Sequence, residues 1–197
     1  EAVRIHQPGG VAIGVFARSD AISDFVDAQG WENGTPDLPG MVFSNDQPLG
    51  GKIADKVHIL FNYYNRGEWR FDQASGKYLR WIENFPEFDS DQFEMIPLVD
   101  RVTGQQLGFS NLIIIRAEYT ELAPTRHQID IWGNKKGLPA YFFRDGQMVE
   151  GSWRTVNDTD PMQFFAKDGR PFALKPGNTW IVIAGLSSTF QEITPGE

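Results

Sequence analysis

Three histidines and 26 acidic residues are the side chains with which this 197-residue chain could carry out acid–base or metal chemistry, since cysteine is absent. The histidines, His6, His58 and His127, form no His-x-x-x-His or Glu-x-x-His unit. His127 and Asp130 stand three residues apart, which in a strand places them on opposite faces. A transition-metal site needs three or four ligands that converge. We therefore predict no metal site, no cofactor and no thiolate chemistry.

Carboxylates are the remaining candidates for catalysis. The segment 83–94 contains Asp89-x-Asp91 but lacks the glycine turn and the ligand spacing of a calcium loop, so we interpret it as a solvated acidic loop. Glu118 and Asp130 could form the carboxylate pair of a glycoside hydrolase only if their strands pair. No Gly-x-Ser-x-Gly or glycine-rich phosphate motif occurs. We therefore assign no catalytic residue and keep an enzyme as an alternative.

Aromatic residues give a stronger signal, and it points to binding. Most rings on the strands of a small β domain pack in its core. Trp81 differs because it lies beside the acidic loop, and we expect it to project to the side opposite Leu79. We predict that Trp81, Arg80 and Glu83 form a surface that stacks on a sugar ring or contacts a partner. The aromatic residues on predicted strands are Trp69, Tyr78, Trp81, Trp132, Trp153 and Trp180.

The charge of the chain limits its partners. Acidic residues outnumber Lys and Arg by 26 to 18, and the net charge of −8 opposes binding to nucleic acid and to anionic lipid head groups. The longest apolar runs, residues 112–115 and 180–186, are too short to span a membrane. The chain begins at Glu1 without Met. We therefore expect a processed or truncated protein, with room upstream for a signal peptide, a lipid anchor or a further lobe.

The first quarter of the chain differs from the rest. Its first ten residues have the composition of a flexible lead-in. Residues 11–16 are typical of a strand. Residues 19–27 are typical of a helix, with Ser19 as its N-cap. We divide the chain into residues 1–50, an N-terminal arm with a short strand and helix, and residues 51–197, a β-rich domain.

Hairpin patterns dominate the second part. Residues 68–72 and 77–82 alternate between polar and apolar side chains on either side of a turn. Two Asp-Gly pairs further along the chain also separate strand-like runs, and such turns require positive φ. We therefore predict positive φ at Gly146 and Gly169.

The core of this part should form around one central strand. Residues 111–117 are apolar on both faces, as in a strand buried on both sides. We expect Trp153 and Trp180 to be core residues of neighbouring strands. The predicted fold class is α+β and β-rich, with mainly antiparallel sheets built from consecutive hairpins and one short N-terminal helix.

A series of short motifs follows the order of these elements: Trp69, Tyr78-Leu79-Arg80, Asp100, Thr103-Gly104, Asn111, Phe143-Arg144-Asp145-Gly146, Gly151-Ser152-Trp153-Arg154, Asp168-Gly169, Leu174, Pro176-Gly177 and Thr179-Trp180-Ile181. The series resembles the C-terminal domain of the YerB-like bacterial lipoproteins, a domain of unknown function. The resemblance implies an extracytoplasmic, lipid-anchored protein of the bacterial envelope and no established reaction. The junction usual in that family is not recognisable in residues 41–51. Because only about 50 residues precede the matching part, we expect the upstream α/β lobe of the family to be absent, truncated or diverged.

Three functions are compatible with these features. We expect a non-catalytic domain of the cell envelope that binds a surface polymer or a partner protein, which exposed aromatic rings would favour. The first alternative is an assembly subunit whose N-terminal tail lies on a neighbour, which a flat apolar patch would favour. The second is a hydrolase of wall polymers, which a cleft holding two carboxylates with raised pKa would favour.

Overall fold

The computed structural model describes residues 2–6, 12–17, 19–31, 41–62, 65–84, 93–123, 126–157, 160–186 and 190–193. Within these ranges the chain forms one α-helix and seventeen β-strands. The chain divides into two compact units, Glu1–Leu38 and Pro39–Glu197. Among the described residues, no helix is long and apolar enough to cross a membrane.

The first unit is an antiparallel hairpin followed by the helix. Strand β1 (Ala2–His6) pairs with β2 (Ala12–Ala17), and helix α1 (Ser19–Ala28) follows. The predicted strand and helix are confirmed to within a residue at their described ends. The prediction of a flexible lead-in is wrong for β1, because Val3 and Ile5 alternate with polar residues and β2 supplies a partner. Residues 7–11 lie outside the described part.

Within the described residues, the second unit consists of two large sheets and one small two-stranded sheet. Its described strands are β3 (Val42–Phe43), β4 (Lys52–Ile53), β5 (Lys56–Asn62), β6 (Asn65–Asp72), β7 (Lys77–Asn84), β8 (Glu94–Pro97), β9 (Gly108–Phe109), β10 (Asn111–Ala123), β11 (Arg126–Asp130), β12 (Asn134–Arg144), β13 (Gln147–Thr155), β14 (Gln163–Ala166), β15 (Ala173–Leu174), β16 (Thr179–Gly185) and β17 (Phe190–Ile193). The first sheet has the order β11-β10-β12-β13-β14, with β16 beside β10 and β4 beside β13. The second has the order β17-β5-β6-β7-β8, with β9 beside β7.

Consecutive strands pair antiparallel throughout both sheets. Parallel pairing occurs between β10 and β16 and between β3 and β15, which are far apart in the chain. The predicted fold class, mainly antiparallel β structure with one short helix, is confirmed.

Strand β10 separates two apolar cores, as its sequence predicts. Leu112 and Ile114 point to one side, where they pack with Trp69 and other residues of the second sheet. Ile113 and Ile115 point to the other side and pack with residues of β12 to β15. Side chains alternate along a strand, so a run that is apolar at every position fills both cores at once.

The Asp-Gly turns have the predicted conformation. Asp145 and Gly146 both have positive φ, at 54° and 72°, as a two-residue type I′ hairpin turn requires. Gly169 has a φ of 81°. The prediction for both glycines is confirmed.

The arginine before the first of these turns ties three segments together. Arg144 is 1% exposed. Its guanidinium donates hydrogen bonds to the carboxylate of Asp145 and to the backbone carbonyls of Ser44, Asp46 and Ala173, at 2.8 to 3.0 Å. Buried polar groups are stable only when they are hydrogen-bonded in this way, so Arg144 stabilises the fold.

The two core tryptophans are only partly as predicted. Trp153 is fully buried, and its indole N–H donates to the carbonyl of Arg116 at 2.8 Å. Trp180 is partly buried and packs at the core between the sheets. The expectation that their strands are neighbours is wrong, because β10 and β12 lie between β16 and β13. The local hairpin pattern does not reveal the long-range parallel pairing of β16 with β10.

Replacing Trp153 by alanine should lower the free energy of unfolding by about 3–5 kcal/mol, because the change empties a fully buried site. Urea denaturation followed by circular dichroism measures this. Trp132→Ala is the matched control, since the Trp132 ring is 46% exposed and its loss should cost less than about 1 kcal/mol. A loss below about 1 kcal/mol for Trp153→Ala would contradict the observed packing.

Gly151→Ala should destabilise the protein more than Gly169→Ala, although of the two only Gly169 has a positive φ. A Cβ on Gly151 would overlap the carbonyl oxygen of Phe165 on β14, so these strands would have to separate. At Gly169 a Cβ meets no atom within 4 Å, and the backbone strain costs about 1–2 kcal/mol. We expect a loss of about 3 kcal/mol for Gly151→Ala. Equal unfolding midpoints for the two variants would argue against this close approach of β13 and β14.

Candidate functional site

A cleft of about 380 Å³ lies at the base of the β10–β11 hairpin. Glu118 of β10 and Asp130 of β11 are directly opposite partners in this hairpin, and both are exposed. The strand pairing that the sequence argument required for these two carboxylates is therefore present. The cleft is lined by Glu118, Asp130, Trp132, Gly133, Asn134, Lys135, Lys136, Gly137 and Leu138.

A bulge in β12 forms one wall of this cleft. Between the paired positions Asn134 and Leu138, β12 has three residues where β13 has only Arg154. The Asn134 side chain fixes the bulge: its amide donates to the carbonyl of Trp153 at 2.8 Å, and its oxygen accepts the N–H of Gly137 at 3.0 Å. Bulges of this kind redirect side chains next to functional sites. Here the bulge brings Lys135 and Lys136 to the cleft.

Trp132 supplies an exposed aromatic ring at the same place. The Trp132 side chain is 46% exposed. Its backbone N–H donates to the carboxylate of Asp130 at 3.1 Å, and Gly133 follows with a φ of 73°. This turn ends β11 and leaves the ring beside the two carboxylates.

The charged groups of the cleft form no ion pair with one another or with any other described residue. In the part of the chain that the structure describes, no ion pair within 4.0 Å involves Glu118, Asp130, Lys135 or Lys136. The cleft thus combines two anions, two cations and an aromatic ring that are all accessible to a ligand. A sugar or another polar molecule could bind there by stacking and charge-assisted hydrogen bonds.

A second cleft, of about 530 Å³, lies on the β5 and β16 side of β10. Its walls include the exposed apolar side chains of Leu60, Phe61, Tyr119 and Leu186. Glu118 and Thr120 also line it, so this surface combines apolar and polar groups. Its exposed apolar side chains are the feature that the assembly alternative would need.

Trp81 and Glu83, which the sequence favoured for binding, share the outer face of the second sheet. The guanidinium carbon of Arg70 lies 3.9 Å from the centre of the Trp81 ring, and Arg66 pairs with Glu83 at 3.4 Å. Cations of the protein itself therefore cover these two side chains. Leu79 is two residues from Trp81 and shares its face, so the expectation that they point to opposite sides is wrong.

Arg80 does not share that surface. Because side chains alternate along β7, the Arg80 side chain points toward the core. Its guanidinium carbon lies 4.1 Å from the ring centre of Trp69 and 5.6 Å from that of Trp180. Burial lowers the pKa of Arg80 to about 10. Its guanidinium donates to the carbonyls of Glu68 and Trp81. Arg80 is placed to support the sheet and not to touch a ligand.

Glu68 is the buried carboxylate of the same outer face. It is 3% exposed, with the Lys56 ammonium 3.4 Å and the His58 Nδ1 3.5 Å from its carboxylate, and it accepts a hydrogen bond from Arg70. Burial raises the pKa of Glu68, but Arg70, Lys56 and His58 together hold it below its ordinary value. His58 is thus part of a structural charge network.

Other predicted features fall partly outside the described residues. Of the acidic loop, residues 85–92, with Asp89 and Asp91, are not among them. His127 lies on β11 opposite Glu121. Among the described residues, no three His, Asp or Glu side chains lie close enough to hold a metal ion.

Sequence reasoning missed Trp132 as a site residue because it grouped this ring with the packed strand aromatics. Two signals could have identified it. Gly133 ends the strand pattern directly after Trp132, and the polar Lys135-Lys136-Gly137 insertion interrupts the alternation before Leu138. Polar insertions of this kind mark bulges and loops, where binding residues concentrate.

Comparison with known proteins agrees with this architecture. Residues 57–181 match the C-terminal domain of a protein of unknown function, DUF3048. The chain is also similar to the crystal structure of the YerB protein from Bacillus subtilis, with a TM-score of 0.67 and 20% sequence identity, over 97% of this chain and 59% of that chain. The likeness to YerB shows a shared fold, and the chain spans 59% of its length. No curated protein matches this chain.

Replacing Glu68 by glutamine should destabilise the protein at pH 7 by about 1.5–3 kcal/mol, because charged hydrogen bonds to a buried carboxylate are lost. Since folding lowers this pKa, the stabilising contribution is present above the unfolded pKa of about 4.3 and disappears as the pH falls through the folded value. Urea unfolding at pH 7 and at pH 3 measures the difference.

Glu150→Gln is the control, because the Glu150 carboxylate pairs with the exposed ammonium groups of Lys52 and Lys167 at the surface. Exposed pairs contribute less than about 1 kcal/mol. The same loss of stability for Glu68→Gln at both pH values would rule out the proposed role of the Glu68 charge.

Proposed function

The chain belongs to the family of the DUF3048 C-terminal domain, and we propose that it is a non-catalytic extracytoplasmic domain that binds a polymer of the bacterial cell surface. The resemblance to the YerB-like proteins, predicted from the sequence, is confirmed. The location in the envelope is part of the proposal and rests on that resemblance.

The observation that carries the proposal is the exposed Trp132 ring beside Glu118 and Asp130 in a cleft of about 380 Å³. An indole face stacks on the apolar face of a sugar ring. Carboxylates accept hydrogen bonds from sugar hydroxyls, and ammonium groups donate to sugar oxygens. The volume lies within the range of small-ligand sites, about 300–1,000 Å³. An open cleft also lets a polymer chain continue on both sides.

Exposure of the two carboxylates favours binding without turnover. A pair of catalytic carboxyl groups needs one member that stays protonated near neutral pH, and burial in a water-poor pocket achieves this. Glu118 and Asp130 both lie in the exposed half of the β10–β11 hairpin. Their position suits recognition of hydroxyl and amino groups in water.

A hydrolase of wall polymers is the second candidate. It is favoured by one observation, the direct cross-strand pairing of Glu118 with Asp130 in the cleft. Glycosidases place two carboxylates on either side of the bond they cleave. A ligand that closes the cleft and excludes water would place Glu118 and Asp130 in the water-poor environment that glycosidase catalysis requires.

Trp132→Ala should weaken binding of peptide-free glycan strands from bacterial peptidoglycan at least tenfold, corresponding to about 1.4 kcal/mol, because the stacking surface is lost. Isothermal titration calorimetry measures the affinity. Trp81→Ala is the matched control, since Arg70 already covers that ring, and its affinity should equal that of the wild type.

The same samples, assayed for released reducing ends, decide between binding and hydrolysis. We expect no release by the wild-type protein. Release that Glu118→Gln or Asp130→Asn abolishes would establish the hydrolase instead. Weaker binding by Trp81→Ala and not by Trp132→Ala would move the site to the outer face of the second sheet.

A further inference from the structure

We propose that the unit recognised in this cleft is zwitterionic: a sugar that carries a free amine, bound between Glu118 and Asp130, and an acidic group, bound by Lys135 and Lys136. This inference rests on the proposed function and names its ligand class. It follows from the arrangement in this cleft of four charged side chains that form no ion pair with other described residues.

The two carboxylates of the cleft repel each other. Glu118 and Asp130 are directly opposite each other across antiparallel strands, where Cβ atoms lie about 4.5–5.5 Å apart and like charges are destabilising. No cationic side chain among the described residues lies within 4.0 Å of either carboxylate. A primary ammonium group has three N–H donors and one positive charge. Bound between the two carboxylates, it would satisfy both and remove their repulsion.

The two lysines of the cleft differ from most other lysines of the second unit. Of the five other described lysines of the second unit, four form ion pairs, among them Lys52 with Glu150 at 3.2 Å and Lys175 with Asp145 at 2.6 Å. Lys135 and Lys136 share a cleft with two carboxylates and still form no ion pair with them. The bulge accounts for the missing ion pairs. The Asn134 side chain hydrogen-bonds the bulge to Trp153 and so fixes the two lysines on a wall of the cleft separate from the carboxylates. The two ammonium groups are therefore available to an acidic group of a ligand.

A ligand with only one kind of charge fits this cleft less well than a zwitterionic one. An amine without an acid would meet the lysines as like charges, and an acid without an amine would meet the carboxylates in the same way. A neutral sugar would use neither set of charges. A ligand with both groups pairs all four side chains while its ring stacks on Trp132.

Four glycans test the inference because they vary the two charges separately. A chitin tetramer is neutral, a chitosan tetramer carries only amines, and peptide-free N-acetylated glycan strands carry only the carboxylate of muramic acid. De-N-acetylated glycan strands carry both groups. We expect the last to bind the wild-type protein at least tenfold more tightly than the other three, by isothermal titration calorimetry.

Two double variants identify which groups are responsible. Glu118→Gln with Asp130→Asn should lower the affinity for de-N-acetylated strands at least tenfold, to that of N-acetylated strands. Lys135→Gln with Lys136→Gln should lower it to the affinity of the chitosan tetramer. Lys167→Gln, outside the cleft, should change none of the four affinities.

Glu118→Gln alone gives a readout without ligand. It removes the repulsion between opposed carboxylates and should raise Tm by about 1–3 °C. A Tm that is unchanged or lower would contradict the repulsion between Glu118 and Asp130 and overturn the amine site.

The binding results also separate this inference from the proposed function. Equal affinities for all four glycans, or tightest binding of a singly charged glycan, would overturn the inference of a zwitterionic ligand. If Trp132→Ala still weakens that binding, the proposed function is retained. Absence of binding to every glycan would overturn both.

Discussion

The burial of strand β10 on both faces is the constraint on which the rest of the second unit depends. Its first seven residues are almost entirely buried, and they pair with β16 on one edge and with β12 on the other. Glu118 is the first exposed residue after this segment. From there the strand continues beyond the cores and pairs with β11, so the element that organises the interior also positions the carboxylate of the cleft. A rigid core segment is a suitable support for a binding residue because it restricts the backbone next to it.

The parts of this arrangement that depend on local sequence could be predicted. The apolar run at residues 111–117 indicated a strand buried on both sides, and the Asp-Gly pairs indicated turns with positive φ. Neighbouring residues determine these features through side-chain alternation and backbone sterics. The parallel pairing of β10 with β16 joins segments more than 60 residues apart, and no local pattern specifies it. For the same reason the sequence placed Trp153 and Trp180 on neighbouring strands, which is wrong.

The candidate site shows the same contrast between features that local sequence predicts and features that depend on long-range strand pairing. The sequence identified Glu118 and Asp130 but made their proximity depend on strand pairing, which only the three-dimensional structure supplies. It grouped Trp132 with packed aromatics, although Gly133 directly after it indicates the end of the strand. It favoured Trp81, whose ring the Arg70 guanidinium covers. A cation on an adjacent strand determines whether an aromatic ring is free, and that neighbour is visible only once the register is known.

The distribution of paired and unpaired charges separates residues that maintain the fold from those available to a ligand. Arg144 donates to three backbone carbonyls and one carboxylate, and Asn111 binds the loop before β16 through its side-chain amide and oxygen. Both belong to the motif series that carries the family resemblance, so that series describes a scaffold. The cleft side chains lie outside it, on a bulge and at a strand end. A shared scaffold does not require a shared ligand. The fold alone therefore does not determine what this cleft would bind.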